Sequence, residues 1–344
     1  MSTRARDSPN IILAMIEYRP FRNTDPPALC EIWRNQPPLR ALFQPMTTVV
    51  FEDTVLSKPF FDRTGLIVAI ENQRPVGFVH AGLGPTADGK QLDPAFGATC
   101  MLMVAHHPER MAIAENLLQR SEAYLAAHGT RSCYGGGMAC VAPFYNGLYG
   151  GCSVPGIVES DVQVVSLYRS AGYTEQERRL ILQRSLAGFR PAVDRQQIQY
   201  RRGHDIEVQA DPPTRSWWEA CVTAHMDRTA YLMRPRSGGA ALGTAVFWNM
   251  EPLASSWGVH ARGLWQLDIP VGPEQEALAV FILGESLRLA GQEGVTLIEA
   301  QVSATDASMK QVLTGKLGFQ LIEEAIVFRK ELDALNPAPT ECPA

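Results

Sequence analysis

The sequence predicts two α/β domains in tandem, produced by an internal duplication. Three observations predict it. One order of elements occurs twice: strand, long apolar helix, then a short helix closing on L-x-x-x-x-G-[FY] (Leu167–Tyr173 and Leu313–Phe319). The spacing repeats too, since Gly77 to Val104 is 27 positions and Gly243 to Ile269 is 26. A length of 344 residues is enough for two separate cores.

The first copy opens on a strand, Ile16–Phe21. A turn follows at Asn23–Pro27, where Asp25 is placed to cap a helix that begins at two prolines and runs through ALCEIWR. Gly65–Ile70 and Pro75–Ala81 are β-rich runs joined by the polar link Glu71–Arg74, the pattern of a hairpin. The apolar strand Ala98–Val104 leads into a helix with Ala114, Leu117, Leu118, Tyr124 and Leu125 at helical spacing and Gly129 as its stop. Ser166–Tyr173 and the strand RRLILQR close the copy.

The second copy repeats this with a helix near Trp217–Ala224, strands at Ala241–Trp248 and Gly263–Ile269, and an apolar helix ending in glycine. Val312–Phe319 and the strand AIVFRK complete it. The first copy is longer by 19 residues, because Val104 to Leu167 spans 63 positions and Ile269 to Leu313 spans 44. The surplus falls in Tyr134–Ser160, a glycine-rich segment containing Phe144, Tyr145 and Tyr149. Beside a reaction site it shapes or covers a substrate pocket; otherwise it packs one domain on the other. The expected division is a tail at 1–15, a first domain at 16–186, a linker at 187–195, a second domain at 196–334 and a disordered tail at 335–344.

Composition removes several classes of function. A net charge of −5 with no clustered basic stripe argues against nucleic acid as partner, and the Arg178-Arg179 and Arg201-Arg202 pairs read as solvated surface. The longest apolar stretches, Ile11–Ile16 and Ala277–Leu283, are too short to span a bilayer, so a cytoplasmic protein with no membrane partner is expected. Seven cysteines without a C-x-x-C pair indicate neither a disulfide framework nor a metal site. Nothing in the sequence fixes an oligomeric state.

These elements resemble the acetyl-CoA-dependent N-acetyltransferases of the GNAT superfamily, closely over residues 16–185 and more loosely over 196–332. That family places a loop of the form [QR]-x-x-G-x-[GA] after its central strand. Here the two copies read E-x-x-A-x-A, at Glu109, Ala112 and Ala114 and at Glu274, Ala277 and Ala279. Its second motif, N-x-x-A-x-x-L-Y-x-x-x-G-[FY], is matched by Asp161 through Val164, Leu167, Tyr168 and Gly172 to Tyr173, with Asp and Val as departures. The second copy has Thr314 in place of the tyrosine.

The resemblance implies an α+β architecture of mixed, mostly antiparallel sheets flanked by helices. It also implies acetyl-CoA as co-substrate, no metal, and an amine of a small molecule or peptide as acceptor. Met103, Val104, Glu109, Arg110, Met111, Ala112, Ile113, Ala114 and Asp161 are then the residues expected at CoA. Backbone N–H groups of Met111–Ala114 would take the pyrophosphate, as helix N-termini do. Tyr168 is expected to protonate the leaving thiolate and His80 to help deprotonate the amine. Phe144, Tyr145 and Tyr149 are expected at the acceptor. Two other readings stand beside this one. The doubled glutamate suits a non-catalytic CoA- or ligand-binding module, and the two-domain plan suits a tandem enzyme of the mycothiol-synthase type.

Overall fold

The computed structural model describes residues 15–138, 141, 144–251 and 257–332. The expectations for both tails fall outside these residues, apart from Met15. The first half contains β1 (Glu17–Pro20), α1 (Pro26–Arg34), a helical turn α2 (Thr48–Phe51), β2 (Leu66–Glu71), β3 (Arg74–Pro85), β4 (Leu92–Val104) and α3 (Arg110–Ala127). It continues with β5 (Ser132–Gly135), β6 (Ile157–Val158), α4 (Val162–Ser170) and β7 (Thr174–Ser185). The second half contains α5 (Arg195–Gly203), β8 (His204–Ala210), α6 (Trp217–Thr223), β9 (Arg228–Pro235), β10 (Gly243–Asn249) and β11 (Ala261–Asp268). It ends with the long helix Gln275–Gln292, here α7, then β12 (Leu297–Ser303), the turn α8 (Ala307–Lys310) and β13 (Gln320–Glu331).

Local chemistry explains most of the boundaries. The β2–β3 hairpin turns on Asn72 and Gln73, both at positive φ (48° and 67°), which is what a two-residue primed turn requires. Asp25 does occupy the N-cap of α1, but its side chain caps nothing. Pro26 and Pro27 remove the first helical N–H groups, so the carboxylate turns instead to Arg19, at 2.8 Å to each oxygen, and to the Arg22 N–H. Gly129 stops α3 in the left-handed region at φ 88°, as expected of a C′ glycine.

All strands join one 13-stranded sheet, in the order β1-β2-β3-β4-β5-β13-β7-β12-β11-β10-β9-β8 with β6 beside β13. Every pairing is antiparallel except β4·β5 and β11·β12. These two parallel pairs are the ones bridged by the long helices α3 and α7, because a parallel return needs a crossover. At the centre the last strands of the halves are exchanged. β13 pairs with β5 of the first half, β7 pairs with β12 of the second, and the two pair with each other.

The duplication is visible at single residues. Glu109 and Glu274 are the N-cap residues of the two long helices, at φ −97° and −96°. Register shifts fall at His80/Ala81 in the first copy and at Val246/Phe247 in the second. One apolar cluster lies around α3 and α4, and a second around α7. A third joins the halves, packing Trp218, Val222 and Trp248 with Trp33, Phe60 and Phe144.

Candidate functional site

The site begins with a defect in strand pairing. β4 pairs with β5 only from Phe96 to Thr99, whereas on its other edge it pairs with β3 as far as Val104. On β4, Cys100 is the extra residue at the shift between the His80–Met101 and Ala81–Thr99 pairs. A bulge of this kind bends a strand and ends pairing. Beyond it Met101–Val104 part from the neighbouring strand and form one wall of a cavity of about 280 Å³. That volume lies near the lower end of small-molecule sites.

The remaining walls come from three places. The first turn of α3 contributes Arg110, Met111 and Ala114; the start of α4 contributes Asp161, Gln163 and Leu167. The segment after α1 supplies Gln36, Pro37 and Leu39. Gln36 ties the walls together: its amide N–H donates to the Val104 carbonyl at 3.1 Å, and its oxygen accepts from Arg110 at 2.9 Å. The first turn of α3 holds no acidic side chain, so its N–H groups and Arg110 make that end of the cavity electropositive. Ile113 N–H is already bonded to the Glu109 carbonyl at 3.0 Å, which leaves the N–H groups of Met111 and Ala112 as the head of the helix.

Met103, Val104, Arg110, Met111, Ala114, Asp161 and Tyr149 line this cavity. Glu109 and Ala112 are exposed beside it and Ile113 points into the core. Glu109, the N-cap residue of α3, is not among the residues that line the cavity. Asp161 carries a carboxyl pushed up by burial, with Arg110 and a backbone hydrogen bond opposing the shift. Tyr149 accepts a hydrogen bond from Val158 N–H at 3.1 Å, and burial raises its hydroxyl well above the ordinary phenol, so it stays protonated. The sequence did not mark Gln36, Leu39 or Met101; the proline pair after α1 was the available signal that this segment leaves its helix and turns inward.

Other expected residues lie elsewhere. Tyr168 is 1% exposed, stacks on Phe328 with centroids 5.6 Å apart, and reaches the Thr99 carbonyl at 3.5 Å, behind the point where β4 and β5 part. His80 is fully buried among Phe61, Phe144 and Tyr145, with Nδ1 2.9 Å from the Tyr145 hydroxyl. Burial pushes its imidazole down to about 3, so it is neutral near pH 7. Phe144 and Tyr145 are interior, against Phe60 and Trp33 respectively.

The glycine-rich segment touches both halves. Tyr149 lines the first-half cavity, while the next residues dock on the second half where β11 and β12 stop pairing, after Gly263–Glu299. Glu299, fully buried, accepts from Cys152 N–H at 2.7 Å, Arg40 at 2.7 Å and Gln183 at 2.8 Å. Trp248 donates to the Cys152 carbonyl, and Gln301 donates to the carbonyls of Gly150 and Ser153. At the head of α7, helix α5 supplies a cover. Tyr200 donates to Glu274 at 2.9 Å and Gln197 donates to the Ala277 carbonyl at 3.1 Å. In the second half the place where β11 and β12 part is thus occupied by Gly150–Ser153, and a smaller cavity of about 240 Å³ remains at the head of α7, lined by Gln197, Glu276, Ala277, Val280, Val312 and Lys316.

No family model and no curated protein matches the chain. Solved structures match its fold. A GCN5-related glucosamine N-acetyltransferase region of a fungal multi-domain GH3 β-N-acetylglucosaminidase is similar at TM-score 0.68 and 13% identity, over 93% of this chain. The chain spans only 38% of that protein. A tandem GNAT protein from the clavulanic acid biosynthesis pathway matches at TM-score 0.60 and 12% identity, over 92% of this chain and 98% of its own. A GCN5-related N-acetyltransferase from Sphaerobacter thermophilus matches at TM-score 0.58 and 13% identity, over 92% and 95%. The fold is that of the tandem GNAT N-acetyltransferases, across more than nine-tenths of the chain. Among the described residues no helix is long and apolar enough to cross a membrane.

Proposed function

We propose that the protein transfers an acetyl group from acetyl-CoA to an amine of a small molecule or peptide, with the chemistry in the first half. One observation carries this reading: in the first half the freed edge of β4, the head of α3 and the start of α4 bound one cavity, while in the second half Gly150–Ser153 occupy the place where β11 and β12 part and leave a smaller recess beside α7. The residues present fit the co-substrate. Met111 and Ala112 N–H groups with Arg110 suit the pyrophosphate, and the freed edge of β4 from Met101 to Val104 suits the amide-bearing arm.

The amine nitrogen forms a bond to the thioester carbonyl carbon, the carbon–sulfur bond breaks, and the sulfur leaves as thiolate. Tyr149 belongs to the cavity wall and keeps its proton through burial, and in this reading it gives that thiolate its proton. Asp161, the carboxyl on the same wall, takes the proton the amine loses, directly or through water, and solvent restores Tyr149. Tyr168, placed behind the wall, is assigned to supporting β5 beneath Gly135. Expected outcomes for acetyl-CoA turnover over a panel of amines are a loss of about a hundredfold in kcat for Tyr149→Phe, with KM for acetyl-CoA little changed. A kcat loss confined to Tyr168→Phe assigns the proton to the motif tyrosine instead.

A second reading is favoured by the burial of His80 and Tyr168: a non-catalytic module that binds CoA without turnover. Calorimetric titration with acetyl-CoA separates them. Binding with no turnover on any amine supports the module, and no binding at all removes both readings.

A further inference from the structure

Helix α7 carries Phe281, Glu285, Arg288 and Leu289, separated by four, seven and eight positions and therefore on one face. This face forms one side of an open groove of about 570 Å³ that shares no residue with the first-half cavity. Across it stand Arg190 from the segment after β7, Arg201 at the end of α5, His204 at the start of β8, and Arg236. Four guanidinium groups face two carboxylates, Asp205 and Glu285, in a chain whose net charge is −5.

The carboxylates are used as fixtures. Glu285, with its side chain 8% exposed, accepts from Arg201 at 2.6 Å and from Arg288 at 2.8 Å, one through each oxygen. Its capacity is spent on holding two guanidinium groups apart, and these stay 48% and 39% exposed. Asp205 holds Arg236 in the same way at 2.8 Å, and Arg190 has no ion pair among the described residues. Guanidinium groups with fixed planes and spare N–H donors match phosphate oxygens in pairs. The sequence had suggested Arg201 as solvated surface near Asp205; its partner is Glu285, 84 positions away.

We propose that this groove is a second binding site, for a small molecule bearing a diphosphate or two phosphate groups. Phosphate oxygens bridge the Arg201–Arg288 pair to Arg190 and Arg236, and the rest of the ligand lies along Ile206 and Leu289. The site is independent of acetyl transfer and stands whether or not the first-half cleft is catalytic.

Calorimetric titration of inorganic pyrophosphate into the full chain tests it, alongside Arg190→Ala/Arg236→Ala and Arg110→Ala. The expected result is saturable, salt-sensitive binding with a component that weakens about tenfold or more in the double variant and persists in Arg110→Ala, which removes only the pyrophosphate contact of the first-half cavity. The Arg236–Asp205 pair is mostly exposed and Arg190 has no ion pair among the described residues, so the double variant leaves the fold intact; Arg190→Glu alone gives the same reading if the double variant is unstable. No heat of binding, equal affinity in the arginine variants, or loss of binding in Arg110→Ala overturns the proposal.

Discussion

Burial separates residues that sequence motifs treat alike. Tyr149 and Tyr168 are both protonated phenols, yet of the two only Tyr149 lines the cavity, so the same chemistry at two positions yields one wall residue and one packing ring. His80 and His225 show the thermodynamic side. Burial lowers them to about 3 and about 4 from an ordinary value of 6.5, with Lys58 adding to the shift at His225. The unfolded chain then binds more protons than the native one between pH 6.5 and those values. The stability that neutral histidines contribute is complete above about pH 6.5 and is lost as pH falls. Lys58, lowered by burial to about 8 while its ammonium donates to the carbonyls of Cys221 and Val222, adds a second window: stability rises with pH from about 8 to 10.5. Thermal midpoints between pH 7 and pH 4 should fall more gently in His80→Leu than in the natural chain. Parallel slopes overturn the assignment.

At the scale of elements, the hairpins, long helices and their glycine stops were legible because each is a local pattern: alternation, a 3.6-residue period, or a positive-φ turn. Strands β8, β9 and β12 and helix α5 were not marked. β8 alternates only weakly, at Ile206, Val208 and Ala210, and lies mostly at the surface, and α5 is mostly polar, so neither presents a strong apolar face. The glycine-rich segment was legible as an insertion but not as a latch, because its partners Glu299, Gln301 and Trp248 lie about 100 to 150 positions away. The latch has a sharp test at Gly151, which sits at φ 96° where an added Cβ would meet Glu299. Gly151→Ala should cost about 2–4 kcal/mol, read as a lower denaturant midpoint with an unchanged slope. Glu299→Ala should cost a similar amount, because it leaves Arg40 and the Cys152 N–H without their buried acceptor. Shifts below about 0.5 kcal/mol in both would show that the loop is not held here.

At the scale of the whole molecule, the exchanged strands decide how the halves depend on each other. β13 fills the place between β5 and β7, so a fragment ending near residue 193 keeps β5 with an open edge and loses the cover that Phe328 gives Tyr168. Such a fragment should fail to give a monomeric, cooperatively melting species by gel filtration and circular dichroism. A folded, monomeric fragment would show that the first half is self-sufficient. The sequence alone determined the duplication, the α/β class and the glycine stop of the first long helix. These are set by short-range geometry, which side-chain size and polarity report directly. Only the tertiary structure decided that the two sheets are one, that the last strands are exchanged, and that Gly150–Ser153 dock where β11 and β12 part. It also moved the proposed donor from the motif tyrosine to Tyr149. Those outcomes turn on contacts between residues far apart in the chain, where burial and pairing, rather than local pattern, set the free energy.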